Sequence, residues 1–233
     1  MSDRPLFLHE YVDIVGEGTH AYMEHTVAFD CERAGGRGLR LLGTWETVGS
    51  TGRWPQVVNV WELIDGWDGW ARLTAETNLR RRDNEALEQW WRTALRSRSG
   101  GYDRVLGGVA GTPTLDALVA GGVSGSLFMH EVSEVRPGTA RDYLRAVHED
   151  LVPLMAEFGH TLVGLYEVLM TDSEVCVIWA ADLDAHIDLM RARDGGTARI
   201  DIWEATARRW RVRIHEELLV PQPGTVLYAP HGH

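Results

Sequence analysis

Residues 5–14 read PLFLHEYVDI, and residues 126–135 read SLFMHEVSEV. Leu6, Phe7, His9 and Glu10 fall on Leu127, Phe128, His130 and Glu131 at a constant offset of 121 residues. The same offset sets Tyr22 on Tyr143, Leu42 on Val163, Gly43 on Gly164 and Glu46 on Glu167. A register kept through a strand, a helix and a second strand marks an internal repeat. Further on the offset shortens, as a change in loop length requires. VVNVWE (57–62) then meets VCVIWA (175–180) with Trp61 on Trp179, and Trp90 falls on Trp203.

The second copy is the easier to read. After the strand at 126–135, Thr139 and Asp142 have the spacing of a helix N-cap and its capping-box partner. Tyr143, Leu144, Val147, Leu151, Leu154 and Met155 then recur at helical spacing, with Pro153 placed to kink or end the helix. HTLVGLYEVLM (160–170) and EVCVIWAAD (174–182) are β-rich runs joined by a short polar turn, which predicts an antiparallel hairpin. Residues 182–193 and 200–213 read as helices, the latter with Trp203, Ala207 and Trp210 on one stripe, and IHEELLVP (214–221) reads as the closing strand.

Strand, helix, two strands, helix, strand is the ferredoxin-like order. The expected fold is therefore α+β: two tandem βαββαβ repeats, at 1–108 and 124–233, joined by a Gly/Ala-rich linker at 109–123. Each repeat carries helices on one face of its sheet, and its other face is too apolar to stand in water. Packing the two sheets against each other would close an eight-stranded barrel within one chain, a pseudo-dimer that leaves room for a further homodimer.

Composition removes several classes of function. At 233 residues and 44% hydrophobic content the chain can bury a substantial core. No apolar run reaches the roughly 18 residues of a membrane span, and the N-terminal residues lack a signal-peptide pattern, so the expected location is cytoplasmic, with no membrane partner. A net charge of −11 opposes nucleic-acid binding. Every basic residue is arginine, which excludes lysine Schiff-base chemistry. Cys31 and Cys176 stand far apart and read as free, buried thiols.

The stretch from Glu134 to Arg193 resembles a NIPSNAP-type domain of the dimeric α/β-barrel superfamily. Pro137, Gly138, Leu162, Val163, Gly164 and Trp179 match its pattern, and the first half is a divergent copy that keeps Gly18, Leu42, Gly43 and Trp61. The resemblance implies a broad range of activities: cofactor-free monooxygenases acting on aromatic polyketides, isomerases and lyases of small molecules, and haem-binding enzymes.

Several residues could carry chemistry. Adjacent strand residues point to opposite faces, so only one member of His9/Glu10 and of His130/Glu131 can see the barrel interior. A cavity-facing His9 or His130 would serve as general base or haem ligand. Glu46 and Glu167 interrupt apolar strands at equivalent places, and Glu62 has Ala180 as its counterpart, so it could act in one half only. The ten tryptophans suit a pocket for a flat hydrophobic ligand, with Trp45, Trp61, Tyr166 and Trp179 as its walls. The leading expectation is a cofactor-independent proton-transfer enzyme, an isomerase, lyase or monooxygenase, acting on a hydrophobic, ring-containing or enolisable small molecule. The alternatives are a haem- or ligand-binding barrel using His148, His160 or His186, and a non-catalytic interaction protein. No metal role is expected, including at the tail residues His231 and His233.

Overall fold

In the computed structural model, residues 4–30, 35–49 and 53–230 are described; Cys31, His231 and His233 lie outside them. The first half runs β1 (Leu6–Ile14), α1 (Thr19–Phe29), β2 (Leu39–Val48), β3 (Gln56–Leu63), α2 (Gly66–Leu73), α3 (Glu85–Ala94) and β4 (Arg98–Gly108). A short α4 (Leu115–Ala120) follows. The second half runs β5 (Leu127–Val135), α5 (Ala140–Ala146), α6 (Val152–Glu157), β6 (Thr161–Val168), β7 (Glu174–Ala181), α7 (Leu183–Asp194), α8 (Ala198–Ala207) and β8 (Arg211–Pro221). Both halves have the ferredoxin-like order expected of them.

Each half makes a four-stranded antiparallel sheet, ordered β4-β1-β3-β2 and β8-β5-β7-β6. Antiparallel seams join β2 to β8, where Thr47 faces Leu219, and β4 to β6, where Gly107 faces Glu167. The eight strands thus close into one barrel, through seams that span only Trp45–Val48 of β2 and Leu106–Gly108 of β4. Inside it, Phe7, Trp45, Phe128, Tyr166, Leu106 and Leu219 form one buried cluster. Leu115 and Leu118 of α4, in the segment 109–123, belong to the same cluster. The helices of the two repeats, unlike α4, lie outside, over the other face of each half-sheet.

The glycines of the repeat have a steric reason. Both β2 and β6 carry a register shift, between Leu41 and Gly43 and between Leu162 and Gly164. There the ring of Trp45 folds back over Gly43 and that of Tyr166 over Gly164. A Cβ at either glycine would lie 2.0 Å from the aromatic side chain, a distance no real contact tolerates. The Gly-x-aromatic spacing in the two copies is therefore a packing rule for filling the barrel.

Some local expectations change. Thr139 does not cap α5: its hydroxyl donates to the Arg136 carbonyl at 2.8 Å, and Asp142 pairs with Arg145. The helix does not run straight into Pro153. It passes through a π-type turn at Val147–Leu151, and Pro153 then sits in the first turn of α6, where its missing N–H costs nothing. Trp210 is not helical, because α8 ends at Ala207 and β8 begins at Arg211, three residues earlier than the apolar pattern suggested.

Candidate active site

Strand alternation resolves the paired His-Glu dipeptides in the same way in both halves. His9 and His130 are fully buried inside the barrel. Glu10 and Glu131 point outward, into the layers beneath the helices. In the second half Glu131 accepts from the Tyr143 hydroxyl at 2.7 Å and from Ser133 at 2.8 Å. Burial pushes its carboxyl above the ordinary range, helped by the nearby Glu216 and opposed by those two donors. In the first half Glu10 takes both its hydrogen bonds on Oε2, from Trp61 Nε1 at 2.8 Å and Asn59 Nδ2 at 3.2 Å. Burial raises its pKa too, while Trp61, Asn59 and Arg98 pull it down.

The two layers differ in one respect that matters for function. Over the second sheet, Tyr143, Leu165, Trp179 and Trp203 belong to one packed cluster. Over the first, a cavity of about 870 Å³ opens. Its walls include Leu8, Trp70, Trp91 and Tyr102, and its polar lining includes Glu10 and Arg98. Arg98 stacks on Trp91 with its guanidinium carbon 5.2 Å from the ring centroid. Its buried Nη1 and the Thr77 hydroxyl, both in this lining, have no hydrogen-bond partner among the described residues. Thr77 belongs to a π-helical segment, Thr74–Leu79, a departure from α geometry that is frequent at functional sites. A volume in the range of small-molecule sites, aromatic walls and a few unspent polar groups together describe a ligand cleft.

The other candidates from the sequence are scattered. Trp61 and Trp179 lie in the helix–sheet layers, and only Trp61 approaches the cleft, through its bond to Glu10. Trp45 and Tyr166 fill the barrel. Glu46 sits half-buried on the outer face of β2. Glu167 is held by Arg4 and by Arg141 at 3.1 Å. Glu62 accepts from the Leu115 backbone N–H at 3.1 Å and lies 3.6 Å from Arg40, so it ties α4 to the barrel. Arg98, the residue sequence reasoning missed, sits at the start of β4 in an unremarkable polar run.

A second polar group occupies the barrel centre. His9, His130 and Cys176 place their ligand-capable atoms within 4.8 Å of one another, all buried. The Cys176 Sγ is 3.2 Å from His130 Nε2, while His130 Nδ1 lies 3.2 Å from Glu217 Oε2 and 3.2 Å from the Tyr11 hydroxyl. Burial opposes ionisation of Glu217, but hydrogen bonds to His130 and His215 outweigh it and hold the carboxyl at about 2. Burial drives the Cys176 thiol up. It also drives His9 well below its usual value, with His130 and Arg104 adding to the effect.

His148, His160 and His186, named for the haem alternative, lie outside both groups. His148 is exposed, beside a cavity of about 440 Å³ ringed by Arg4, Arg141 and Arg145. His160 and His186 face each other, with ring centroids 5.9 Å apart. His160 Nδ1 lies 3.0 Å from the Phe158 carbonyl oxygen, and both rings are buried.

No known family model matches the chain, and no curated protein matches it. Solved structures do. An anthrone oxidase-like protein aligns over 95% of this chain and 92% of its own, with a TM-score of 0.63 and 12% identity. A Fusobacterium nucleatum protein with a provisional monooxygenase name aligns over 95% and 94%, with a TM-score of 0.62 and 11% identity. The chain has the dimeric α/β-barrel fold, with both halves in one polypeptide. An uncharacterized NIPSNAP domain protein from Burkholderia xenovorans aligns over 42% of this chain and 95% of its own, at a TM-score of 0.36 and 15% identity. At these identities the likeness is one of fold, and function has to be argued from the site.

Proposed function

We propose that the first-half cleft is the active site of an enzyme that moves protons on a hydrophobic, ring-containing small molecule with an enolisable carbonyl. The observation that carries this reading is the open 870 Å³ cleft, in which Glu10 and the unpartnered Arg98 Nη1 line the same aromatic-walled space. Trp70, Trp91 and Tyr102 would hold the ring. Arg98 would donate to the carbonyl oxygen and stabilise the negative charge that develops there. Glu10, fixed through Oε2 by Trp61 and Asn59, would take the proton from the adjacent carbon on Oε1 and return it at another carbon. Returned there, the proton gives an isomerisation, and isomerase, lyase and monooxygenase chemistry all share this first removal. The provisional monooxygenase and anthrone oxidase-like names of fold relatives agree with a substrate of this type.

The test is deuterium wash-in. Cyclic aromatic ketones with acidic C–H bonds are incubated with the full chain in D₂O, and exchange is followed by mass spectrometry. Wild-type protein is expected to accelerate exchange, and Glu10→Gln to lose about a hundredfold or more of that acceleration. Arg98→Met should weaken binding and rate together. Exchange that survives in Glu10→Gln, or no catalysis across the panel by a protein that binds its members, would overturn the reading.

A further inference from the structure

The barrel centre is unused by the cleft chemistry, since His9 and Glu10 leave β1 on opposite faces. We propose that His9, His130 and Cys176 form a binding site for one thiophilic transition-metal ion, of the Zn²⁺ or Cu⁺ class. This inference does not rest on the proposed activity.

Four observations support it. First, the three side chains converge from different strands, β1, β5 and β7, and their ligand atoms lie within 4.8 Å of one another. Closing around an ion at usual Zn–N and Zn–S bond lengths, about 2.0 to 2.3 Å, needs only side-chain adjustment. Second, His9 is fully buried and neither of its ring nitrogens has a hydrogen-bond partner among the described residues. Buried polar groups are ordinarily satisfied, and a metal ion is a partner that would satisfy this one. Third, the Glu217 carboxylate lies against His130 Nδ1 at 3.2 Å, leaving Nε2 directed at the Cys176 sulfur. A carboxylate behind a histidine in this way is the usual support for a metal ligand, fixing the ring and its tautomer.

The fourth observation is an asymmetry between the copies. The two histidines are repeat-equivalent, but the positions that would complete a second set are not. Val58 stands where the other half has Cys176, and Arg104 stands opposite His9 where Glu217 stands opposite His130. The thiol and the carboxylate thus each occur in one copy only, which gives a single site and not two. Two imidazoles and a thiolate are a soft donor set that suits zinc or cuprous ion over magnesium or calcium. On binding, the S–H bond of Cys176 breaks, its sulfur bonds to the metal, and the proton leaves to solvent. Three protein ligands leave a further coordination position open.

The experiment uses the full chain. Metal content is measured by inductively coupled plasma mass spectrometry on protein as purified. Protein stripped with a chelator is then titrated with Co²⁺, the optical probe for a zinc-type site, and separately with Cu⁺ against a chromogenic cuprous chelator. Wild type is expected to take up one equivalent, with a thiolate-to-Co²⁺ charge-transfer band that Zn²⁺ bleaches if zinc is the preferred ion; tight Cu⁺ capture without that bleaching assigns the copper arm. Cys176→Val, which installs the residue found at position 58, should remove the charge-transfer band while circular dichroism shows an intact fold. His9→Gln should abolish tight binding, and Glu217→Gln should weaken it by about ten- to a hundredfold. If Cys176→Val fails to fold, Cys176→Ser and His9→Gln carry the same readout. No stoichiometric uptake of either ion by folded wild type, or an unchanged Co²⁺ spectrum in the cysteine variants, would overturn the proposal.

Discussion

In the second half, Trp179 and Trp203 pack with Tyr143 beneath the helices, and Glu131 is closed off by the Tyr143 hydroxyl. In the first half, the equivalent layer holds Trp61 and Trp90, but α2 and α3 stand far enough from β4 to leave the cleft beside Glu10. Both copies obey the same strand alternation and the same glycine rule. They differ in how completely the helices cover the sheet. A duplicated chain needs only one well-packed copy to hold the barrel shut, and the other copy is then free to keep a hole where stability alone would fill it.

The sharpest way to break this comparison is to treat the two buried carboxylates alike. Glu10→Gln should cost about a hundredfold or more in proton exchange, whereas Glu131→Gln should leave exchange within about twofold of wild type, because its carboxyl meets only protein donors. Equal losses in the two variants would mean that the halves are not functionally distinct. Exchange assays on both, normalised to folded protein, decide it.

Stability should show the opposite asymmetry. Trp203 is 6% exposed inside a continuous cluster, so Trp203→Ala is expected to destabilise by about 3 to 5 kcal/mol through lost burial and the cavity left behind. Trp70 borders the open cleft and is only partly buried, so Trp70→Ala should cost about 1 to 2 kcal/mol and act mainly on ligand affinity. Urea unfolding of the two variants gives both numbers. Gly43→Ala and Gly164→Ala, by contrast, test what the copies share. Each forces an aromatic side chain off its glycine, and each should cost about 1 to 3 kcal/mol by overpacking. A large difference between them would show that one bulge can relax and the other cannot.

The sequence carried the barrel because strand and helix periodicities are local and were written twice. The repeated strand–helix–strand–strand–helix–strand pattern pointed to two half-sheets, and their apolar faces to closure. Alternation also said that one member of each His-Glu pair faces inward, although the choice of His needed the packed barrel. Three features lay beyond it. Thr139 and Asp142 have capping-box spacing, but backbone geometry sends the threonine hydroxyl to Arg136. The open cleft depends on how far two helices stand off a sheet, a distance that no spacing encodes. Cys176 meets His9 only because β1 and β7 lie in different half-sheets of a closed barrel, so no metal-ligand motif exists along the chain to be read.

The smallest expected effect concerns His160 and His186, a pair found only in the well-packed half. Burial lowers both pKa values below 6.5. At His160 the hydrogen bond with the Phe158 carbonyl opposes it, as does Asp182, while His186 and Arg193 add to it; at His186, Arg193 adds and Glu216 opposes. The folded protein therefore prefers both rings neutral. Above about pH 6.5, where the unfolded chain is also neutral at these positions, their contribution to stability is fully present. As the pH falls below 6.5 the unfolded chain gains protons that the folded one resists, and stability is lost until the folded-state values are reached. Urea midpoints measured at pH 7.5 and 5.5 should drop in wild type by more than in the His160→Gln/His186→Gln double variant. Because position 186 falls in α7, which packs over the filled sheet, the same substitutions should leave exchange at the Glu10 cleft unchanged at pH 7.5. A double variant with the full wild-type pH dependence would place the acid sensitivity elsewhere in the chain.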